Sequence, residues 1–229
     1  MTRDRVSYAQ QCLEALRRTE GIDDIYLVDH RSTYIPMLDW LGSVAGPYTR
    51  GGTAGRVHVL WHDNAHPRDL WSNGTLAAAL RPDERFIVTD CDVVPDAPSD
   101  WLVWLATALD RYPGMVKAGL GLRVDDLPER YAHRERVQTW ESQWTTASRI
   151  TPCGDHLVYR SPVDTTLALY RRLEPFAMEP AIRSTHPYVA RHLTWYENSA
   201  RPTEEQRWYY RQATPGVSHW QDPVTYERG

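Results

Sequence analysis

The chain has 229 residues, 24% of them charged, and a net charge of −4 at pH 7. That length can bury one sizeable core, and the near-balanced charge excludes a global field that would gather nucleic acid or an anionic membrane. Cys12, Cys91 and Cys153 are odd in number and share no metal-ligand spacing, which argues against a disulfide framework or a zinc site and fits a reducing compartment. No stretch reaches the roughly 18 to 20 apolar residues of a bilayer span, and the polar opening Met1-Thr2-Arg3-Asp4-Arg5 lacks a signal-peptide core. A cytoplasmic location is therefore the expectation. Lys117 is the one lysine, against 25 arginines, and ten tryptophans and thirteen tyrosines accompany two phenylalanines. Such polar-edged rings suit the margin of a wet cleft as well as a core.

In chain order, Ser7 to Arg18 reads as a helix, with a Ser7/Gln10 capping box and an apolar stripe of Ala9, Leu13 and Leu16. Ile25 to Val28 reads as a buried strand ending at Asp29. Ser32 or Thr33 then caps a helix through Leu41 that holds Pro36 in its first turn. A Gly-rich loop, Gly46 to Gly55, leads to the strand Val57 to Leu60. Pro67 opens a helix to about Leu80. Phe86-Ile87-Val88-Thr89-Asp90-Cys91-Asp92-Val93-Val94-Pro95 is a continuous apolar run that ends in two carboxylates and a proline. Ser99 caps a helix whose Trp101, Leu105 and Leu109 face inward. Val116 to Leu122 is strand-like, with Gly119 and Gly121 letting something approach its backbone. Arg134 to Trp144 reads as a helix and Thr166 to Tyr170 as a strand. The C-terminal third reads as aromatic and irregular, with one helix capped by Thr203 and Gln206. This alternation predicts an α/β domain with a parallel sheet. The apolar strand that opens such sheets is missing ahead of Ser7, so either it lies upstream of Met1 or the fold begins atypically.

Ligands of open α/β sheets bind beyond the carboxyl ends of the strands. Asp90 and Asp92 stand at such an end, where two carboxylates persist around a cation or for a catalytic task; the alternative is a polar turn in which Asp90 caps and Asp92 is solvated. Asp29 shares that edge in a parallel sheet, and Asp164 is a further acidic point at a strand start. Arg3, Arg5 and Arg68 add fixed positive charge suited to phosphate oxygens.

The order of segments resembles family-2-like glycosyltransferases of the GT-A fold. Ile25-Tyr26-Leu27-Val28-Asp29-His30-Arg31-Ser32-Thr33-Tyr34 is similar to their second-strand motif, and Thr2-Arg3-Asp4-Arg5 to the turn after their first strand. His66-Pro67-Arg68-Asp69-Leu70-Trp71-Ser72-Asn73-Gly74 resembles the helix beside the nucleotide, and Thr89-Asp90-Cys91-Asp92 their Asp-x-Asp motif. Asp164 to Arg171 resembles the strand beside the acceptor. His186 to Tyr196 and Val217-Ser218-His219-Trp220 are similar to segments of a bacterial branch of these proteins. The resemblance implies a GT-A (Rossmann-like), mostly parallel sheet flanked by helices, with residues 1–120 as the nucleotide half and 121–229 as an acceptor half.

It further implies a metal-dependent hexosyl-type transfer from a nucleotide sugar, a UDP-sugar first, to an unidentified acceptor, with inversion. Thr2, Arg3, Arg5, Asp29, Arg68, Trp71 and Asp90 fall on the nucleotide side. Asp90, Asp92 and His219 fall on Mn2+ or Mg2+. Asp164 is the first choice of general base, with Glu141 and the Asp125/Asp126 pair as alternatives, since the family's usual base motif is not evident. Arg191, clustered with His186 and His192, is a candidate for stabilising the departing diphosphate. Two rival readings remain at this point. One is a haloacid-dehalogenase-like phosphatase using Asp90 as nucleophile and Asp92 as acid/base, followed by Lys117 and Asp125/Asp126. The other is a non-catalytic GT-A-like binding domain. The oligomeric state is left open.

Overall fold

A computed structural model describes residues 1–50, 53–63 and 66–212. Helix α1 (Val6–Arg17) leads to strand β1 (Asp24–His30), helix α2 (Ile35–Val44) and the antiparallel pair β2 (Gly46–Arg50) and β3 (Thr53–His62). Two short helices follow, α3 (Asp69–Ser72) and α4 (Thr75–Ala79), then β4 (Phe86–Val88), β5 (Val93–Asp96) and α5 (Trp101–Arg111). The second half holds β6 (Lys117–Gly119), β7 (Gly121–Leu122), α6 (Arg134–Ser142), β8 (Ile150–Cys153), β9 (His156–Arg160), β10 (Ala168–Tyr170), β11 (Ala181–Ser184), β12 (Val189–His192) and α7 (Glu204–Gln212).

The strands form three sheets, ordered β1-β3-β2, β4-β10-β6-β11-β9-β8 and β5-β12-β7. Among the described residues β1–β3, β6–β11 and β7–β12 pair in parallel, as does the isolated Thr2–Asp29 bridge, and the other six strand pairings are antiparallel. The expected mostly parallel, Rossmann-like GT-A sheet is therefore corrected to a set of mixed sheets. The physical reason lies in β4. A continuous apolar run marks a strand covered on both faces but carries no information about its neighbour's direction. Phe86 to Val88 in fact runs against Tyr170 to Ala168.

Residues 1–2 lie between β1 and β4. The Thr2 amide donates to Val28 O and the His30 amide to Thr2 O, both at 2.9 Å. On the other side Met1 N donates to Thr89 O at 2.9 Å and the Cys91 amide to Met1 O at 3.0 Å. The core is filled largely by Leu13 and Leu16 of α1, Trp101, Leu105 and Leu109 of α5, Val93, Ala118 and Ile182 from the sheets, and Leu120 between β6 and β7. The inward stripes predicted for both helices are present, and each fully buried leucine contributes about 1.5 to 3 kcal/mol.

Local departures have local causes. The Ser7/Gln10 capping box does not form, because Glu205 of α7 takes the Ser7 amide and hydroxyl. Neither Ser32 nor Thr33 caps α2, whose N-cap residue is Tyr34; Asp4 instead accepts the Thr33 and Tyr34 amides just ahead of the helix, at 2.5 and 2.7 Å. The stretch expected as a Gly-rich loop holds β2 and the start of β3. The helix expected from Pro67 to Leu80 breaks at Gly74, whose φ of +82° is open to glycine at no steric cost. The run through Asp90 and Asp92 splits into β4 and β5 around a turn. At Gly121 a Cβ would lie 2.4 Å from Ser184 O, the close backbone approach its glycine anticipates. The described part of the C-terminal third, expected to be irregular, carries β9, β10, β11, β12 and α7. The Thr203/Gln206 box does form, with Thr203 N donating to Gln206 Oε1 at 2.8 Å and Gln206 N to Thr203 Oγ1 at 3.3 Å. Among the described residues no helix is long and apolar enough to cross a membrane.

Candidate active site

A cleft of about 500 Å³ opens where residues 1–5, the ends of β1 and β4, α6, β11 and α7 meet. Its floor is the Asp90-Cys91-Asp92 turn. Thr165 holds Asp90 twice, through its carbonyl to the Asp90 amide at 3.1 Å and through its hydroxyl to Asp90 Oδ2 at 2.6 Å. Asp92 is buried and ion-paired with the Arg5 guanidinium, and the Leu193 amide donates to its carbonyl oxygen at 2.7 Å. Arg5 is itself buried and lies 3.6 Å from the centroid of the Tyr209 ring. His192 Nε2 stands 3.9 Å from Asp92 Oδ1, with its Nδ1 engaged by Thr194 Oγ1 at 2.6 Å.

The two carboxylates are driven apart in acidity. Burial, reinforced by the neighbouring Asp92 charge, pushes the Asp90 carboxyl up to about 7. Burial also acts to raise Asp92, but the His192 imidazole and the Arg5 guanidinium overcome it and hold Asp92 below the usual carboxylate range. Burial lowers His192 against the pull of Asp92, so at neutral pH the permanent countercharge is that of Arg5. Such separation of paired acids is a mark of functional carboxylates, and also of buried ion-pair networks.

The facing wall is α6. Trp140 and Trp144 meet edge to face at 6.3 Å, and Glu141 between them is buried against Arg183 of β11, with Nη1 to Oε2 at 2.5 Å. Arg183 also donates to Pro162 O from Nε at 3.3 Å and Nη2 at 3.0 Å. Burial raises Glu141, partly offset by Arg183. On the third side the half-exposed Asp164 faces Arg68 Nη2 at 3.9 Å, and that guanidinium lies 4.7 Å from the Phe176 ring centroid.

The cleft thus gathers Thr2, Arg3, Arg5, Arg68, Asp90, Asp92 and Asp164 of the predicted set, with Glu141 and His192. Others stand elsewhere. Asp29 is buried and satisfied by Ser32, accepting its amide at 3.0 Å and its hydroxyl at 2.5 Å. Trp71 packs on Tyr170 and Phe176 beneath the cleft wall. Arg191 is held by Asp96 at 2.9 Å and Asp126 at 2.7 Å, away from the cleft, and Arg123 ties Asp125 into the same network. His186 is exposed outside it. Lys117 is fully buried, donating to Tyr170 Oη at 3.0 Å and Asp164 O at 3.3 Å. His219 lies outside the described residues.

Arg183, Tyr209 and His30 also line the cleft, and sequence reasoning does not find them. A charged residue inside Ala181-Ile182-Arg183-Ser184 is the signal for the first; Tyr209 and His30 carry none before the chain is folded.

The Mn2+ or Mg2+ implied by the resemblance was weighed against these donors. One Asp92 oxygen is taken by Arg5 and one Asp90 oxygen by Thr165, and among the described residues no group of three or more His, Cys, Asp or Glu side chains is placed to hold a cation. The described side chains do not by themselves form a resident metal site, and the predicted ligand His219 lies outside them. Comparison with protein-family models, curated proteins and solved structures found no match.

Proposed function

We propose that the cleft binds a nucleoside diphosphate sugar and transfers its glycosyl group to an acceptor hydroxyl. The observation that carries this reading is the convergence of the Asp90-Cys91-Asp92 turn with Arg3, Arg5 and Arg68 around one cavity, with Asp164 across from them. A diphosphate brings negative charge that guanidinium groups recognise by geometry as well as sign. Arg68, half-exposed and only loosely paired, is free to turn toward a phosphate; Arg5 is committed to Asp92 and balances its charge in the floor.

In this reading the acceptor oxygen forms a bond to the anomeric carbon as the bond from that carbon to the diphosphate breaks. Asp164 takes the acceptor proton, and the arginines carry the charge that develops on the leaving group. Direct displacement inverts the anomeric centre. Asp164 is preferred over Glu141 because Glu141 is locked to Arg183. Trp140 and Trp144 offer apolar faces and polar edges to a sugar ring. A divalent cation belongs to the proposal only as a companion of the diphosphate, and no step here is routed through it.

Calorimetric titration with UDP and with GDP, each with and without manganese, tests the reading. Saturable binding of UDP at micromolar concentration supports it and justifies a screen of UDP-sugars. Absence of binding by either nucleotide under both conditions overturns it.

A further inference from the structure

His30, the last residue of β1, is only 5% exposed, yet among the described residues neither ring nitrogen has a hydrogen-bond partner. Both facts hold while the side chain lines the cleft. Native proteins seldom leave buried polar groups unpaired, so a group like this one on a cleft wall calls for a partner that the cleft can admit. Arg3 lines the same cavity, and its buried Nε has no hydrogen-bond partner among the described residues, with Asp4 Oδ2 4.0 Å away.

Strand alternation explains the placement. Successive side chains of a strand point to opposite faces. Asp29 turns away from the cavity to Ser32, so His30 turns into it. The Thr2 bridge pins this register, since His30 N donates to Thr2 O while Thr2 N donates to Val28 O. The neighbours decide the chemistry. Burial, the nearby Met1 amine and His62 push the imidazole down to about 4, so it enters neutral reactions as a neutral ring with one N–H and one lone pair. A ring of that kind can donate to a carbonyl oxygen and accept from an N–H at once, which is what the edge of a nucleotide base presents.

We propose that His30 is the specificity-determining contact for the base of the nucleotide, hydrogen-bonding the polar edge of a uracil-type ring, with Arg3 beside it. This deepens the proposed function and rests on it. It also moves base recognition from Asp29, where the resemblance puts it, to the next residue.

The test compares UDP with inorganic pyrophosphate, which keeps the diphosphate and lacks the base. Affinities are measured by calorimetry at pH 7.5 for the wild type, His30→Ala and His30→Gln, after circular dichroism has shown the variants folded. The expected result is a loss of about tenfold or more in UDP affinity for His30→Ala, with pyrophosphate affinity within about twofold of wild type. His30→Gln, which keeps one donor and one acceptor, is expected to recover part of the loss, and it carries the test if the alanine variant does not fold. UDP affinity unchanged by either substitution overturns the inference and leaves the glycosyltransferase reading standing. Equal weakening of UDP and pyrophosphate overturns it as well, because His30 would then act through the phosphates or the fold. A wild type that binds pyrophosphate but no nucleoside diphosphate more tightly than that removes both.

Discussion

Glu205 accepts hydrogen bonds from the backbone amide of Ser7 at 2.9 Å and from its hydroxyl at 2.7 Å, across 198 positions of sequence. A carboxylate from the last described helix thus caps the first one, favoured there by the positive end of the helix dipole. The same contact holds α7 over the cleft. From it Tyr209 reaches the Arg5 guanidinium, and Tyr210 donates to Glu197 Oε2 at 2.8 Å. Tyr8 of α1 donates to the other Glu197 oxygen at 2.6 Å and receives Gln206 Nε2 at 2.8 Å.

Glu205→Ala is expected to lower stability by about 1 to 2 kcal/mol, the range for losing a helix cap, and to weaken nucleotide binding by releasing Tyr209 from Arg5. Urea denaturation and UDP titration read the two effects. Ser7→Ala, which keeps the amide bond to Glu205, is expected to cost less than half as much.

The Arg5–Asp92 pair is buried on both sides. Removing one partner strands the other charge, so Arg5→Met and Asp92→Asn are each expected to destabilise by about 3 to 5 kcal/mol. In a double-mutant cycle built from Arg5→Met and Asp92→Leu, the double variant is expected to cost clearly less than the sum of those two single variants. Strict additivity would show that the pair is not coupled in solution. Loss of nucleotide binding in Asp92→Asn therefore has to be read beside its thermal stability.

Asp90 supplies a pH signature. Its folded-state pKa of about 7 lies above the ordinary carboxyl value, so the native state holds a proton that the unfolded chain has lost. The contribution of this group is fully present below about pH 4 and is lost as pH rises through 7. Asp90→Asn, which cannot ionise, is expected to unfold at a higher temperature than wild type at pH 8, and the advantage should vanish near pH 4. Melting curves at the two pH values check this; an advantage that is the same at both would show that the Asp90 charge is not the cause.

Asp164 and Glu141 separate by what each substitution disturbs. Asp164→Asn is expected to leave UDP affinity within about twofold and the melting temperature unchanged, while transfer falls by about 10² to 10⁴ once a donor and acceptor pair is in hand. Glu141→Gln leaves Arg183 uncompensated in a buried position, so its main expected effect is a lower melting temperature. Retained turnover in Asp164→Asn removes it as the base.

The helices of the sequence were legible where their signals are local. The stripes of α1 and α5 and the Thr203/Gln206 cap depend on residues within a turn or two of each other. The carboxylate pair at the end of the Phe86 run was legible too, because a charged pair after an apolar strand is unusual in itself. Arg191 misled for the same reason: among polar residues in one short segment it looks functional, yet its partners Asp96 and Asp126 lie 95 and 65 positions away. Asp29 and His30 differ by one residue, and only the register set by Thr2 decides which of them meets the cleft.

By itself the sequence determined the chain's balanced charge, its helical stripes, the Asp90/Asp92 carboxylate pair after an apolar run and the abundance of arginines and polar-edged aromatic rings, because these rest on composition and short-range periodicity. The tertiary structure alone decided strand direction, the pairing of Arg5 with Asp92 and Glu141 with Arg183, the capping of α1 by Glu205 and the turning of His30 into the cavity. Those outcomes depend on partners far apart in the chain, which are chosen by burial and by the need of every buried charge and amide for a partner, and neither is written in any local window of residues.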